Sequence, residues 1–287
     1  MSVAPVTPVT PDTVDENTLL VEFERRHMPK DYREYYATKR HNFFASIQGF
    51  KELWELYLRL DAIWFRENAD LRVATDTSRV FPLLLYFNAH AKTRIAMELA
   101  FTGCMAEARS ILRDAVECVA HAHRMLPDPE LQKVWLSKND SEAALKAFDA
   151  EFVHFKKDRV FNGLSDLHKV WGELSETGSH SNINSTVDRF AQITDDKGVE
   201  LRLNYTGVEN IPMWAMMIFS MLLACSTMES VYFSDYEDRL KLDDTLVGMR
   251  RECDRFKENA RQTLIARYKI EPPGGVHTAP KPVMFRL

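Results

Sequence analysis

The chain of 287 residues carries 37 lysines and arginines against 42 aspartates and glutamates, a formal net charge of −5 that gives no global reason to expect a polyanionic partner. Hydrophobic residues at 45% and charged residues at 28% are ordinary for a globular protein long enough to bury a sizeable core. Only 10 glycines beside 17 phenylalanines and 12 methionines argue against a turn-rich barrel or sandwich, and for helices.

The first residues, MSVAPVTPVTPDT, place proline at 5, 8 and 11 and lack the basic start and apolar core of a signal peptide. Residues 1–29 are therefore expected as a flexible Pro/Thr-rich arm. From Asp31 to about Asn68, Phe50, Leu53, Trp54, Tyr57, Leu60 and Trp64 recur at helical spacing, with Gly49 as a kink or divide. A second helix is predicted to begin between Thr77 and Pro82 and to end at Phe101. Gly103 marks a tight break, and a third helix runs to about Leu126, before the LPDP stop. Asp128 to Lys138 reads as a short helix with Pro129 in its first turn. SEAALKAFDAEFVHFKK and FNGLSDLHKVWGELSE continue the helical pattern.

The polar stretch GELSETGSHSNINST, centred on His180, interrupts it. RFAQIT and VELRLNY then flank Asp195-Asp196-Lys197-Gly198, a turn rich in hairpin residues. Ile211 to Met228 holds 18 residues without a charge, the length at which a membrane-spanning helix becomes thinkable. Pro212, Ser220, Ser226 and Thr227, with no basic flank, fit a central helix of a bundle better. A charged amphipathic helix from about Glu237 to Tyr268 precedes a tail at 272–287. The expected architecture is mostly α: a single bundle-like multi-helix domain over 30–271, with one small β-hairpin near 188–206. Cys104, Cys118, Cys225 and Cys253 form no CxxC pair and read as packed thiols of a reducing, cytoplasmic compartment.

Two polar stripes stand out. The second helix is apolar nearly all round, yet carries His90, Arg94 and Glu98 at spacing four. The third carries Arg109, Arg113, Glu117 and His121 at the same spacing. The short break at Gly103 makes the two helices antiparallel neighbours, and counting outward sets Glu98 opposite Arg109, and Arg94 opposite Arg113 or Glu117. Facing stripes would wall a polar pocket, with Arg94, Arg109, Arg113, Glu117 and His121 as ligand-binding residues and His180 as the catalytic candidate. The arginines would then grip a phosphate or carboxylate. Equally, the charges form a satisfied structural network, or face solvent as i,i+4 pairs. Glu117 and His121 stand at i,i+4 where di-iron bundles use i,i+3, and three arginines oppose a dication, so no metal is assigned. Ser175, Ser179 and Ser181 lie near His180 without a GxSxG elbow, and neither GxGxxG nor GxxxxGK[ST] occurs, so no cofactor is assigned.

GCMAEARSILRDAVECVAHAHRMLPDPELQKVWL and LHKVWGELSETGSH resemble segments of bacterial all-helical families of unknown function, themselves similar to the HEPN group, over about residues 80–185. That resemblance implies Arg113, Glu117 and His180 as the family positions, and a setting of RNA cleavage, toxin–antitoxin pairs or phage defence. Catalytic HEPN proteins place an arginine before the histidine with four to six residues between; Glu173 to Ser175 occupy those positions here, Arg113 and His121 have seven between, and Ser181 replaces the usual proline.

Three functions are expected to compete. One is a helical interaction or ligand-binding protein of a defence or toxin–antitoxin type, partnered by itself as a homodimer or by another protein. The second is a HEPN-like, metal-independent ribonuclease acting on RNA with a non-standard Arg/His arrangement. The third is an oligomeric or membrane-associated scaffold built on the Trp54/Trp64 stripe and the 211–228 helix.

Overall fold

The computed structural model describes residues 16–73, 79–153, 160–178, 190–195, 198–203, 206 and 210–270, and among them runs ten α-helices. These are α1 (Glu16–His27), α2 (Lys30–Gly49), α3 (Lys51–Leu71), α4 (Val80–Phe101), α5 (Met105–Met125), α6 (Pro129–Leu136), α7 (Glu142–Phe148), α8 (Ser165–Gly178), α9 (Ile211–Tyr236) and α10 (Asp244–Tyr268). A π-helical turn, Asp149–Val153, extends α7. Phe190–Asp195 (β1) and Gly198–Leu203 (β2) pair antiparallel in register from Phe190–Leu203 to Asp195–Gly198. The protein is thus mostly helical. α1 falls within the stretch expected as an arm.

Local chemistry explains many of the boundaries. Asp128, Ser141, Asn210 and Asp243 each accept a hydrogen bond from a backbone N–H in the following first turn, satisfying a donor that the helix cannot. Such a cap contributes about 1 kcal/mol. Gly103 adopts φ +86 between α4 and α5, and its N–H donates to Ala100 O at 3.1 Å, closing the hairpin in three residues. The Gly49–Phe50 junction divides the long N-terminal pattern into α2 and α3.

α9 is the central helix. It packs against α3, α4, α5, α8 and α10, which is why it is apolar on every side. It alone among the described helices is long and apolar enough to cross a membrane, and 61% of its most apolar window is buried within the bundle. Around it Leu53, Leu56, Ile63 and Trp64 of α3, Tyr86 and Met97 of α4, Leu112, Val116 and Val119 of α5, and Phe219, Leu222, Met228 and Tyr232 of α9 are essentially inaccessible. Each such side chain contributes about 1.5–3 kcal/mol by leaving water. Four cysteines are free thiols, three of them buried.

Candidate functional site

The two sequence-predicted stripes lie on opposite sides of the α4–α5 hairpin and do not face each other. α4 and α5 are antiparallel, joined at their solvent edge by Lys92–Asp114 at 3.3 Å and Asn88 Nδ2–Cys118 Sγ at 3.5 Å. Those pairs agree with outward counting from Gly103 to within one residue. The helices are rotated, however. Ala89, Ala96 and Ala100 share one face of α4, Ala108, Ala115 and Ala122 share one face of α5, and all six are fully buried. Small side chains let this hairpin close tightly, and the longer polar ones turn outward to other neighbours. The expected pairings of Glu98 with Arg109, and of Arg94 with Arg113 or Glu117, are therefore corrected: Glu98 is exposed and Arg94 belongs to the seam with α3.

In that seam Asp61 of α3 receives Arg94 through Nε at 2.6 Å and Nη2 at 2.7 Å, a two-pronged charge-assisted contact. Asp61 Oδ1 also meets His90 Nε2 at 2.8 Å. The network fixes the histidine tautomer. Tyr232 Oη donates to Asn68 Oδ1 at 3.0 Å, which leaves Asn68 Nδ2 to donate to His90 Nδ1 at 2.9 Å. His90 therefore carries its proton on Nε2 and donates it to Asp61. Its ring also lies against Trp64, centroids 5.3 Å apart and nearly parallel. Burial raises the affinity of Asp61 for a proton, but the His90 and Arg94 hydrogen bonds outweigh it and hold the carboxyl down to about 2. Both nitrogens of His90 are committed, so it offers no lone pair to a substrate.

The α5 stripe faces α8 and the α6–α7 region. Arg109, buried, donates to Glu173 O at 3.3 Å, tying α5 to the middle of α8. Arg113 pairs with Glu117 at 3.2 Å, and Glu117 Oε1 accepts the Trp171 indole N–H at 2.9 Å. His121 donates from Nε2 to Phe152 O at 3.1 Å and accepts from Trp135 Nε1 at 3.4 Å. Burial lowers His121 to about 4, so the imidazole is neutral. Burial likewise raises Glu173 to about 7, with Arg109 pulling the other way. The stripe thus binds the last helices of the α5–α8 layer to the bundle. His180, the catalytic candidate, lies outside the described residues.

A third polar cluster escaped the spacing argument. Glu67 of α3 and Glu229 of α9 are both buried, and Arg250 of α10 reaches both, with Nη1 at 3.3 Å from Glu67 Oε1 and hydrogen-bonded to Glu229 Oε1. Burial and the neighbouring Glu229 charge push Glu67 up to about 10, so it remains a carboxylic acid. Glu67 occupies the apolar phase of α3, four residues after Ile63 and seven after Leu60, and Glu229 directly follows the uncharged run that opens α9. A charged residue in an apolar phase was the available signal.

Among the described residues no group of three or more His, Cys, Asp or Glu side chains is placed to hold a metal ion. No family model, no curated protein and no solved structure matches this chain. The functional reading therefore rests on its geometry.

One surface is left over. α3 and α4 lie antiparallel, and outside their shared seam both expose apolar side chains. Leu58 and Phe65 on α3 are 45% and 61% exposed, and Leu84 and Ile95 on α4 are 52% and 50% exposed. Helical periodicity puts each pair on one stripe of its helix: Leu58 and Phe65 beside the Asp61–Arg94 seam, and Leu84 and Ile95 on the solvent side of α4, on the flank toward Asn88. The Arg94 guanidinium, half exposed, lies 5.9 Å from the Phe65 ring.

Proposed function

We propose that this chain is a helical interaction protein that works by presenting the α3–α4 face to a protein partner. The single observation that supports it most is that α4, unlike an ordinary surface helix, exposes Leu84 and Ile95 on its solvent side while its core side is apolar too, and that Arg94 and His90 are engaged with Asp61. A helix that exposes large apolar side chains opposite its buried face is a helix meant to be covered. On this reading Arg94 shapes the face, whereas Arg109, Arg113, Glu117 and His121 hold α8 and the α6–α7 region in place. The finer fold assignment belongs to the same proposal: one bundle-like domain over 30–271 with a small appended hairpin near 188–206. So do a cytoplasmic location, a bacterial defence or toxin–antitoxin setting, and the distant HEPN resemblance.

A benzophenone amino acid placed at Phe65 or Ile95, in cells that naturally make the protein, is expected to give discrete cross-linked adducts on illumination. The same group at Leu145 on α7 is expected to give none. Adducts from Leu145 and none from the α3–α4 positions would sink the proposal. The ribonuclease alternative is addressed in parallel with the purified chain and labelled RNA: cleavage abolished by His180→Ala and by Arg113→Ala would replace the interaction reading with an enzymatic one.

A further inference from the structure

We infer that the partner at the α3–α4 face is a second copy of this chain, docked about a two-fold axis that lies in the plane of the face and runs across its helices. The inference rests on the interaction reading above and names its partner. Its support is the distribution of charge along the face.

Three contacts fix the antiparallel register of the two helices: Trp54 against Phe101 with centroids 5.2 Å apart, Asp61 with Arg94, and Asn68 with His90. That register sets Glu98 beside Leu58 at one end of the open face, and Arg72 beside Leu84 at the other. α2 closes the face beyond the first end, where Asn42 and Ser46 donate to Thr102 O and Phe101 O. Glu98 and Arg72 are both exposed, and neither side chain has a hydrogen bond or ion pair among the described residues. The face therefore carries an anion at one end, a cation about 21 Å away at the other, and between them exposed apolar side chains such as Phe65 beside Asn88 and the Asp61–Arg94 pair.

A surface of that pattern is complementary to itself. An axis across the helices reverses their direction, so the Arg72 end of each copy meets the Glu98 end of the other, and two such contacts form together. The axis falls at the level of Phe65 and Ala91, bringing Phe65 against its symmetry mate while the small Ala91 lets the two α4 helices approach. An axis along the helices would instead oppose Arg72 to Arg72 and Glu98 to Glu98. Charge thus selects one arrangement. Arg94 adds no net charge at the centre, because Asp61 neutralises it. Two helices wide and about 21 Å long, the face is at the small end of stable interfaces, so the dimer is expected to be concentration-dependent in the micromolar range.

Sedimentation equilibrium of the full chain from about 1 to 100 µM is expected to show a monomer–dimer equilibrium in that range. Phe65→Asp is expected to leave a monomer throughout, with unchanged helical circular dichroism and, at concentrations where the wild type is also monomeric, an unchanged melting temperature. Arg72→Glu and Glu98→Arg are each expected to weaken association at least about tenfold, and the double variant Arg72→Glu/Glu98→Arg to restore it. A wild-type monomer at every concentration overturns the inference, as does a dimer that survives Phe65→Asp. A double variant no tighter than the single ones overturns the two-fold arrangement. If the chain is monomeric while the Phe65 cross-linker captures a different protein, self-association fails and the interaction reading stands. If neither a dimer nor an adduct appears, both fail.

Discussion

Arg94 and Asp61 meet through two parallel hydrogen bonds of 2.6 and 2.7 Å, and the same carboxylate accepts a hydrogen bond from His90 Nε2–H at 2.8 Å. One side chain of α3 thereby fixes the rotation of α4. The pair lies at the border between the core and the open face, where water screens it only in part, so its geometry matters more than its Coulomb energy. Asp61→Asn keeps the shape and removes the charge. It is expected to destabilise the fold by about 2 kcal/mol in chemical denaturation at neutral pH, the scale of hydrogen bonds to a charged group.

Acid titration of the same variant gives a second readout. Asp61 is held at about 2 in the folded chain, below its ordinary value of 3.8. A depressed carboxylate contributes stability that is complete above the unfolded value and is lost as pH falls through the folded one. The wild-type chain should therefore lose this increment between about pH 4 and pH 2, and Asp61→Asn should lack it. Parallel stability curves for the two proteins across that window would refute the assignment.

His121 works in a different pH window. Burial lowers it to about 4 from an ordinary 6.5, so the fold favours the neutral ring. Between those values the unfolded chain binds a proton that the folded chain does not, and stability falls as pH drops from about 6.5 to about 4. His121→Gln should flatten that slope, measured as the denaturation midpoint at pH 7.5 and at pH 5. It should also lower stability at pH 7.5 by about 1–3 kcal/mol, because the Phe152 carbonyl and the Trp135 indole lose a well-placed partner.

Glu67 has the opposite sign. It is raised to about 10, so its proton is retained on folding while the unfolded chain has released it above about 4.5. Its contribution is full below the unfolded value and is lost as pH rises toward the folded one. Glu67→Gln, permanently neutral, is therefore expected to be more stable than the wild type at pH 8 and to lose that advantage toward pH 5. Arg250→Leu leaves Glu229 buried without its cation and is expected to cost about 3–5 kcal/mol. A Glu67→Gln advantage that does not grow with pH would show that Glu67 does not hold the proton.

The limits of the sequence reading have a physical origin in the α4–α5 hairpin. Its antiparallel register was legible because a three-residue connection leaves little choice of level, and Lys92–Asp114 confirms the count to within one residue. Its rotation was not, because spacing by four identifies a stripe but not what the stripe faces. α4 is apolar on nearly every side, so no amphipathic direction showed which side meets α5. The buried alanines at 89, 96 and 100 settle it, and alanine is a weak signal in a helix that favours it everywhere. Spacing marks Arg94 as a candidate ligand-binding residue opposite Arg113 or Glu117, whereas its partner is Asp61, in a charged and aromatic stretch 33 residues away whose docking the spacing does not encode. The α5 stripe was legible as a set, yet its partners Trp171, Glu173 and Phe152 belong to later helices whose docking the spacing does not encode.

Two glycines that read alike as helix breaks differ in the structure, and their substitutions should move stability in opposite directions. Gly103 adopts φ +86, a conformation costing an L-residue about 1–2 kcal/mol, and it is buried in the three-residue turn that closes α4 on α5. Gly49 ends α2 with no positive φ, is exposed, and has open space where a Cβ would go. Gly103→Ala is therefore expected to lower the unfolding free energy by at least about 1 kcal/mol. Gly49→Ala is expected to raise it by about 0.5–1 kcal/mol, because alanine restricts the unfolded chain without straining the folded one. Urea titrations of the two variants, with equal m-values, provide the measurement. A Gly103→Ala protein as stable as the wild type would mean that the turn relaxes to negative φ, and that the register of the hairpin is held by its alanine seam and not by its connection.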